Sequence, residues 1–352
     1  MVGVVCLLAG LLPATTAAAA SVFTVYVAPN GNDSRSGLSP AEAVVTLERA
    51  EGVVKAGNPA TNVEIRIAPG VYVAPTTRWD TFINGYTISF LPLSYAYTGS
   101  LPPDGRPVFR SDGTAGYWMW ASLPAGHPGG DTRLRFYYLE ITGYGAGGLA
   151  IVGPTATVNG LKRPVGQGMN GNTVYGMKFH RMGTAHSADS VGYGGLVTWN
   201  SRNNSIRNNH FDYLENSAPD GGLIHGIYLA HGSSGNLISN NSFRWITGGP
   251  VRVRNDSNGN QVRENTFTRT SVSPVGFFSE WSCDQACATQ YSQPLECGSH
   301  GNVFEYNTLY TGYDGNWLPT WHRKPGDPNY VGPAGCSNDG EVWLVTRSNL
   351  RP

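Results

Sequence analysis

Charge is scarce in this sequence. Charged residues make up 14% of the 352 positions, and 24 lysines and arginines balance 24 aspartates and glutamates. Such a balance gives no electrostatic support to a general nucleic-acid or membrane-surface role. After the first 20 residues no apolar run approaches the roughly 18 residues that a membrane span requires. The Leu-x-x-Leu-x-Leu wording of leucine-rich repeats is absent, and so is any Asp-dense run of the kind that holds calcium. Cysteine is rare as well: there are five, and all but Cys6 lie beyond residue 280.

Residues 1–20 form an apolar stretch that ends in small residues, Ala-Ala-Ala-Ala, and carry no lysine or arginine. The stretch reads as an export signal, so a secreted protein is expected. Cleavage would leave Cys283, Cys287, Cys297 and Cys336. An even number clustered in one region of an exported chain predicts two disulfides, with three connectivities open. The rival is a zinc site, with Cys-x3-Cys-x9-Cys and His300 as ligands.

What the chain does contain is a repeat. Gly226-Ile-Tyr-Leu-Ala, Pro250-Val-Arg-Val-Arg and Pro274-Val-Gly-Phe-Phe follow one another at offsets of 24 residues. In the same register Asn236-Leu-Ile-Ser-Asn-Asn-Ser-Phe243 precedes Asn260-Gln-Val-Arg-Glu-Asn-Thr-Phe267, which gives the pattern Asn-x-aliphatic-x-x-Asn-x-Phe. Related segments begin at Asn172, Asn204 and Asn302, spaced by 32 or 42 residues, so the longer coils must carry loops. Short β-branched and aromatic strands with Asn/Gly corners, in coils of this length, predict an all-β solenoid, a single-stranded parallel β-helix. Asparagines stacked at one corner could bond along the axis.

The segment Tyr26-Val-Ala-Pro-Asn-Gly-Asn-Asp, the later Gly37-Leu-Ser-Pro and Thr46-Leu, and the strand wording Val63-Glu-Ile-Arg-Ile-Ala-Pro-Gly-Val-Tyr72 resemble the N-terminal cap and first coil of secreted right-handed parallel β-helix proteins of the pectate-lyase-like superfamily. The resemblance covers most of residues 23–310. It is specific for the fold and weak for the reaction. It implies a signal peptide at 1–20, a cap with a short helix (residues 41–56) and first coil at 21–75, a β-helix at 76–311, and a C-terminal cap or tail at 312–352. Many relatives use calcium, so the resemblance leaves calcium open as a cofactor; no other cofactor is expected.

Strand alternation sorts the central rungs. Ile227, Leu229, Val251, Val253, Val275 and Phe277 point inward, which turns Tyr228, Ala230, Arg252, Arg254, Gly276 and Phe278 outward. Coils roughly 4.8 Å apart set Tyr228 beside Arg252. The loops 183–195 and 215–225 absorb the extra residues of the 32-residue coils and wall this face with His186, Asp189, Asp220 and His225. His231, Asp256, Phe278 and Trp281 complete the expected substrate-binding set, and Glu280 is aligned with Asp256 at one corner. In Gly116-Tyr-Trp-Met-Trp120 the aromatics suit either sugar stacking or strand filling, the latter being the commoner.

Two chemistries fit these residue types. In β-elimination from a uronic acid, Tyr228 or His225 would be the base, and Arg252 and Arg254 would stabilise the carboxylate charge. In glycoside hydrolysis two of Asp189, Asp220, Asp256 and Glu280 would act as a carboxylate pair. A Tyr–Arg pair on a sheet is more often a plain cross-strand contact. A rival of another class is therefore a non-catalytic carbohydrate-binding or adhesion solenoid. Taken together, the residues point to a monomeric extracellular enzyme that degrades a polysaccharide, with a lyase acting on a uronate-containing chain ahead of a hydrolase. His225, Tyr228, Arg252, Arg254 and Glu280 are its candidate catalytic residues.

Overall fold

The strands lie almost wholly side by side in parallel. The computed structural model describes residues 22–113, 116–188, 190–324, 327, 329–336 and 342–352. The expected signal segment and Asp189 lie outside them. Among the described residues three large parallel sheets run the length of the molecule. Sheet I has ten strands and starts at Phe23–Val27; sheet II has eight, from Val71–Ala74 to Thr308–Leu309; sheet III has eight, from Thr77–Trp79 to Trp321–Lys324. One coil passes from His225–Ala230 in sheet III to Leu237–Ser239 in sheet I and Ser242–Ile246 in sheet II. The chain then returns to sheet III at Val251–Arg254. This is the parallel β-helix expected from the repeat.

Each position of the repeat has a physical role. The first Asn forms a buried ladder: Asn172, Asn204, Asn236 and Asn260 each donate a side-chain amide to the Oδ1 of the next, ending on Asn302, at 2.7–3.0 Å. The second forms another, from Asn209 through Asn241, Asn265 and Asn307 to Asn349. Where the earliest repeat has Met177 instead, only its backbone N–H reaches Asn209. The sharp corners leave backbone groups that sheets cannot satisfy, and the amides satisfy them without water. The aliphatic position fills the core at Val174, Ile206, Ile238 and Val262. The terminal Phe builds a stack of Phe179, Phe211, Phe243 and Phe267, with ring centroids 4.8–5.2 Å apart.

The N-terminal helix spans Leu47–Gly57 and is preceded by a single 3-10 turn, Pro40–Glu42. The Thr46 side chain accepts from the Arg49 N–H, and Asn58 closes the other end in a left-handed conformation. Its buried Leu47, Ala50, Val53 and Val54 join the solenoid core. At the other end the winding continues past residue 311, because Trp321–Lys324 pairs with Phe278–Trp281 and Leu344–Arg347 with Asn302–Glu305.

One register differs from the sequence reading. The partner of Val251 is Phe278, and the neighbouring Arg252–Ser279 contact spans 27 residues rather than 24. The preceding sheet II strand, Thr266–Thr270, still pairs at the regular offset. The extra residues therefore sit in the corner between Thr270 and Phe278. Strand alternation is counted from the first paired residue, so this odd-numbered insertion reverses the facing of the residues that follow it in the same strand. Phe278 becomes core, beside the equally buried Phe277, and is removed from the expected substrate-binding face.

Candidate active site

Sheet III presents the outer face on which the site residues gather. Successive strands place Trp120, Ala150, Val197, Tyr228, Arg252, Ser279 and His322 in one row. Trp199 and Arg254 belong to the adjoining row. In the Gly116–Trp120 segment Trp118 and Met119 are both buried in the core, whereas Trp120 is partly exposed and packs edge-on to Trp199. The face thus carries an aromatic strip with arginines set into it.

Tyr228 and Arg252 are direct cross-strand neighbours, and both are partly exposed. Arg252 donates to Ser279 Oγ at 3.1 Å. Among the described residues no carboxylate is ion-paired with it, and burial works against its charge. Arg254 is held differently. It donates Nε to both oxygens of Glu296 at 2.9 and 2.7 Å, and Nη1 to Tyr228 Oη at 3.1 Å. Its guanidinium lies 4.3 Å from the Trp281 ring centroid. Burial disfavours the Arg254 charge, but Tyr228 and Glu296 more than offset this and keep it firmly protonated. Trp281 faces outward beneath that guanidinium, with Lys324 near its ring as well.

His225 packs edge-on against Tyr228, with ring centroids 5.1 Å apart. Its Nδ1 is 2.7 Å from the Gly249 carbonyl, which can only accept, so Nδ1 carries the proton. Burial, reinforced by the Arg252 charge, lowers its pKa well below the usual histidine value. The ring is 1% exposed, so it supports Tyr228 from beneath rather than meeting a sugar itself. His231 is also buried, and its pKa falls to about 3 through burial, Arg254 and Lys162. Asn255 Nδ2 lies 3.0 Å from His231 Nδ1, which makes that nitrogen an acceptor; the 3.8 Å approach to Glu296 is then no ion pair.

The described members of the expected carboxylate set, Asp220, Asp256 and Glu280, sit in different settings. Glu280 aligns with Val253, not Asp256, and therefore points into the core. There it accepts from Arg323 Nε at 3.0 Å, Ser282 Oγ at 2.5 Å and the Ser299 N–H at 3.1 Å. Burial, opposed by Arg323, pushes its carboxyl up. The three-residue insertion that reversed Phe278 is the reason, and Glu280 leaves the candidate catalytic set. Asp256 is ion-paired with Arg163 at 2.9 Å in the corner after the Val251–Arg254 strand. Asp220 begins a short 3-10 turn in the loop wall. His186 is bound at 2.6 Å to Glu215, whose other oxygen accepts from Tyr313 Oη at 2.6 Å. No three His, Cys, Asp or Glu side chains among the described residues converge as metal ligands.

Two walls flank the face. One combines the loops around His186 and Asp220, tied together by Asn216, which accepts from the N–H groups of Thr184 and Gly192. The other combines the hairpin Thr155–Val158/Leu161–Pro164 with the segment from Cys283 to Cys297. Disulfides Cys283–Cys287 and Cys297–Cys336 fix that segment, with Cα separations of 5.2 and 5.5 Å. They select one of the three connectivities and exclude the zinc alternative, since all four thiols are consumed. The sequence reading passed over Glu296, Ser279 and His322. The long 42-residue spacing from Asn260 to Asn302 was the available signal for Glu296, because an insertion leaving the coil after a sheet III strand must rise at the rim of that face.

No protein-family model matches this chain, and no curated protein matches it. Among solved structures it is similar to the alginate lyase from Paenibacillus sp. str. FPU-7, at 14% identity and a TM-score of 0.55, over 94% of this chain and 95% of that one. It is also similar to a pectate lyase, at 16% identity and a TM-score of 0.45 over 87% and 74% of the two chains. A third likeness is to rice weevil pectin methyl esterase, at 11% identity and a TM-score of 0.42 over 92% and 90%. At such identities what is shared is the fold, the parallel β-helix.

Proposed function

We propose that this protein is an exported carbohydrate-active enzyme, a lyase that cleaves a uronate-containing polysaccharide by β-elimination across the outer face of sheet III. The observation that carries this reading is Arg252, a largely buried cation beside Tyr228 with no carboxylate ion-paired to it among the described residues. A buried charge without a counterion is costly, and a sugar carboxylate would supply one. The partly exposed Trp120 and Trp199 offer apolar surface on which sugar rings can stack. The two disulfides agree with an oxidising, extracellular setting.

In the reaction a base removes the C5 proton of the uronate, the C4–O bond breaks, a C4=C5 double bond forms, and the departing oxygen takes up a proton. Arg252 pairs with the carboxylate and stabilises the charge that develops when the C5 proton leaves. Tyr228 works at the proton, with the Arg254 guanidinium donating to its oxygen and so supplying a cation where phenolate charge would develop. Glu296 fixes the Arg254 head group, and His225 fixes the Tyr228 ring. Hydrolysis would need two carboxylates about 5 to 9 Å apart. Glu280 and Asp256 are instead each held by an arginine.

The test is a panel of acidic and neutral polysaccharides read by two assays, ultraviolet absorbance of the unsaturated product and new reducing ends. Absorbance from an acidic glycan, lost in Arg252→Ala, is expected. Reducing ends without absorbance would replace the lyase by a hydrolase, and binding with no product would replace both by a docking protein.

A further inference from the structure

A second concave surface lies on another side of the solenoid. On sheet II the outward residues Glu140, Lys178 and His210 form one row, and Asp212 and Arg244 lie in another. With Arg106, from the connection just before the Val108–Ser111 strand, they line a cleft of about 590 Å³. That volume lies within the range of small-ligand sites, about 300–1,000 Å³. Two internal ion pairs organise it: Lys178 Nζ is 3.3 Å from Glu140, and Arg244 holds Asp212 through two 2.9 Å hydrogen bonds. Arg106 stands outside these pairs. Its guanidinium lies 5.4 Å from the Tyr138 ring centroid, and its buried Nε has no hydrogen-bond partner among the described residues. Three cations thus face two carboxylates, with His210 between them.

We infer that this cleft is a second docking site for an acidic oligosaccharide, where a uronate carboxylate meets Arg106 beside the Lys178–Glu140 pair. The ligand class rests on the lyase reading, but the site does not share residues with it. It lies on sheet II, whereas Tyr228 and Arg252 lie on sheet III. A chain held at two faces would dissociate more slowly than one held at either, so long polymers would gain more than short ones.

Calorimetric titration of Tyr228→Phe protein with galacturonate and alginate tetrasaccharides tests the inference. Two bound molecules per chain are expected with one of these ligands. Adding Arg106→Ala or Lys178→Ala should leave one, or weaken one site at least tenfold, with the thermal unfolding midpoint reported alongside to show that each variant is folded. A stoichiometry of one that neither substitution alters would overturn the inference, as would equal binding of a neutral tetrasaccharide in the cleft. If the cleft binds uronate while wild-type protein yields no unsaturated product, the docking site stands and the lyase reading falls. If product forms but the cleft stays empty, the reverse holds.

Discussion

Tyr228, Arg252 and Arg254 illustrate how little separates a cross-strand contact from a site. The two arginines occupy alternate outward positions of one strand, yet Arg254 is satisfied by Glu296 and Tyr228, whereas among the described residues Arg252 hydrogen-bonds a serine hydroxyl and no carboxylate. Arg252→Ala should lower kcat/KM for the acidic polymer about 10²–10³-fold. Arg252→Lys should recover only part of this, because an ammonium cannot grip a carboxylate with two parallel bonds. Tyr228→Phe removes the proton-handling oxygen and should cost about 10²–10⁴-fold, mainly in kcat, as initial rates of product absorbance would show. His231 makes a different prediction. With its folded pKa at about 3 and an ordinary unfolded value near 6.5, the unfolded chain binds the proton first as pH falls. Stability is therefore intact above about pH 6.5 and lost progressively towards pH 3, and His231→Gln should flatten that slope in thermal unfolding followed across pH.

At the scale of elements, the corners contribute as much as the strands. Asn241 donates to Asn265 Oδ1 and the Ile206 carbonyl and accepts twice from Asn209. Asn241→Ala leaves these buried partners unsatisfied and should destabilise the chain by about 3 kcal/mol in denaturant titrations, with activity per folded molecule little changed. Glu280 is the opposite case, a charge turned inward. Glu280→Ala removes the buried carboxylate that Arg323, Ser282 and the Ser299 N–H share and should cost about 3–5 kcal/mol. Were Glu280 catalytic, Glu280→Gln would abolish turnover in folded protein; here it should preserve it. The inward position of Glu280 follows from the strand register that the Thr270–Phe278 corner sets.

The molecule as a whole is a winding in which each coil rests on its neighbours, so local ties matter most near the ends and on inserted loops. The Cys297–Cys336 bridge ties the loop that carries Glu296 to the chain after the last sheet III strand. Cys297→Ser with Cys336→Ser should lower stability by about 3 kcal/mol. It should also reduce activity beyond the loss of folded protein, because Glu296 anchors Arg254. Activity normalised to the folded fraction measures the difference.

The repeat of Asn, aliphatic and Phe positions is visible in the sequence because stacking coils place like residues on like. Each ladder and each stack therefore favours the same residue at successive turns. The same periodicity gave the facing of Tyr228, Arg252 and Arg254, since alternation within a paired strand is a local property. Corner length was not legible: Pro274-Val-Gly-Phe-Phe imitates a strand at the regular spacing, and only pairing with Val251 shows that the strand starts at Phe278. Glu296, likewise, reaches Arg254 from an unrepeated loop. Sequence alone determined the winding and its outward row, because those depend on residues a fixed step apart. Which carboxylate meets which arginine was decided only in three dimensions, because insertions between strands set register and bring together residues with no constant spacing.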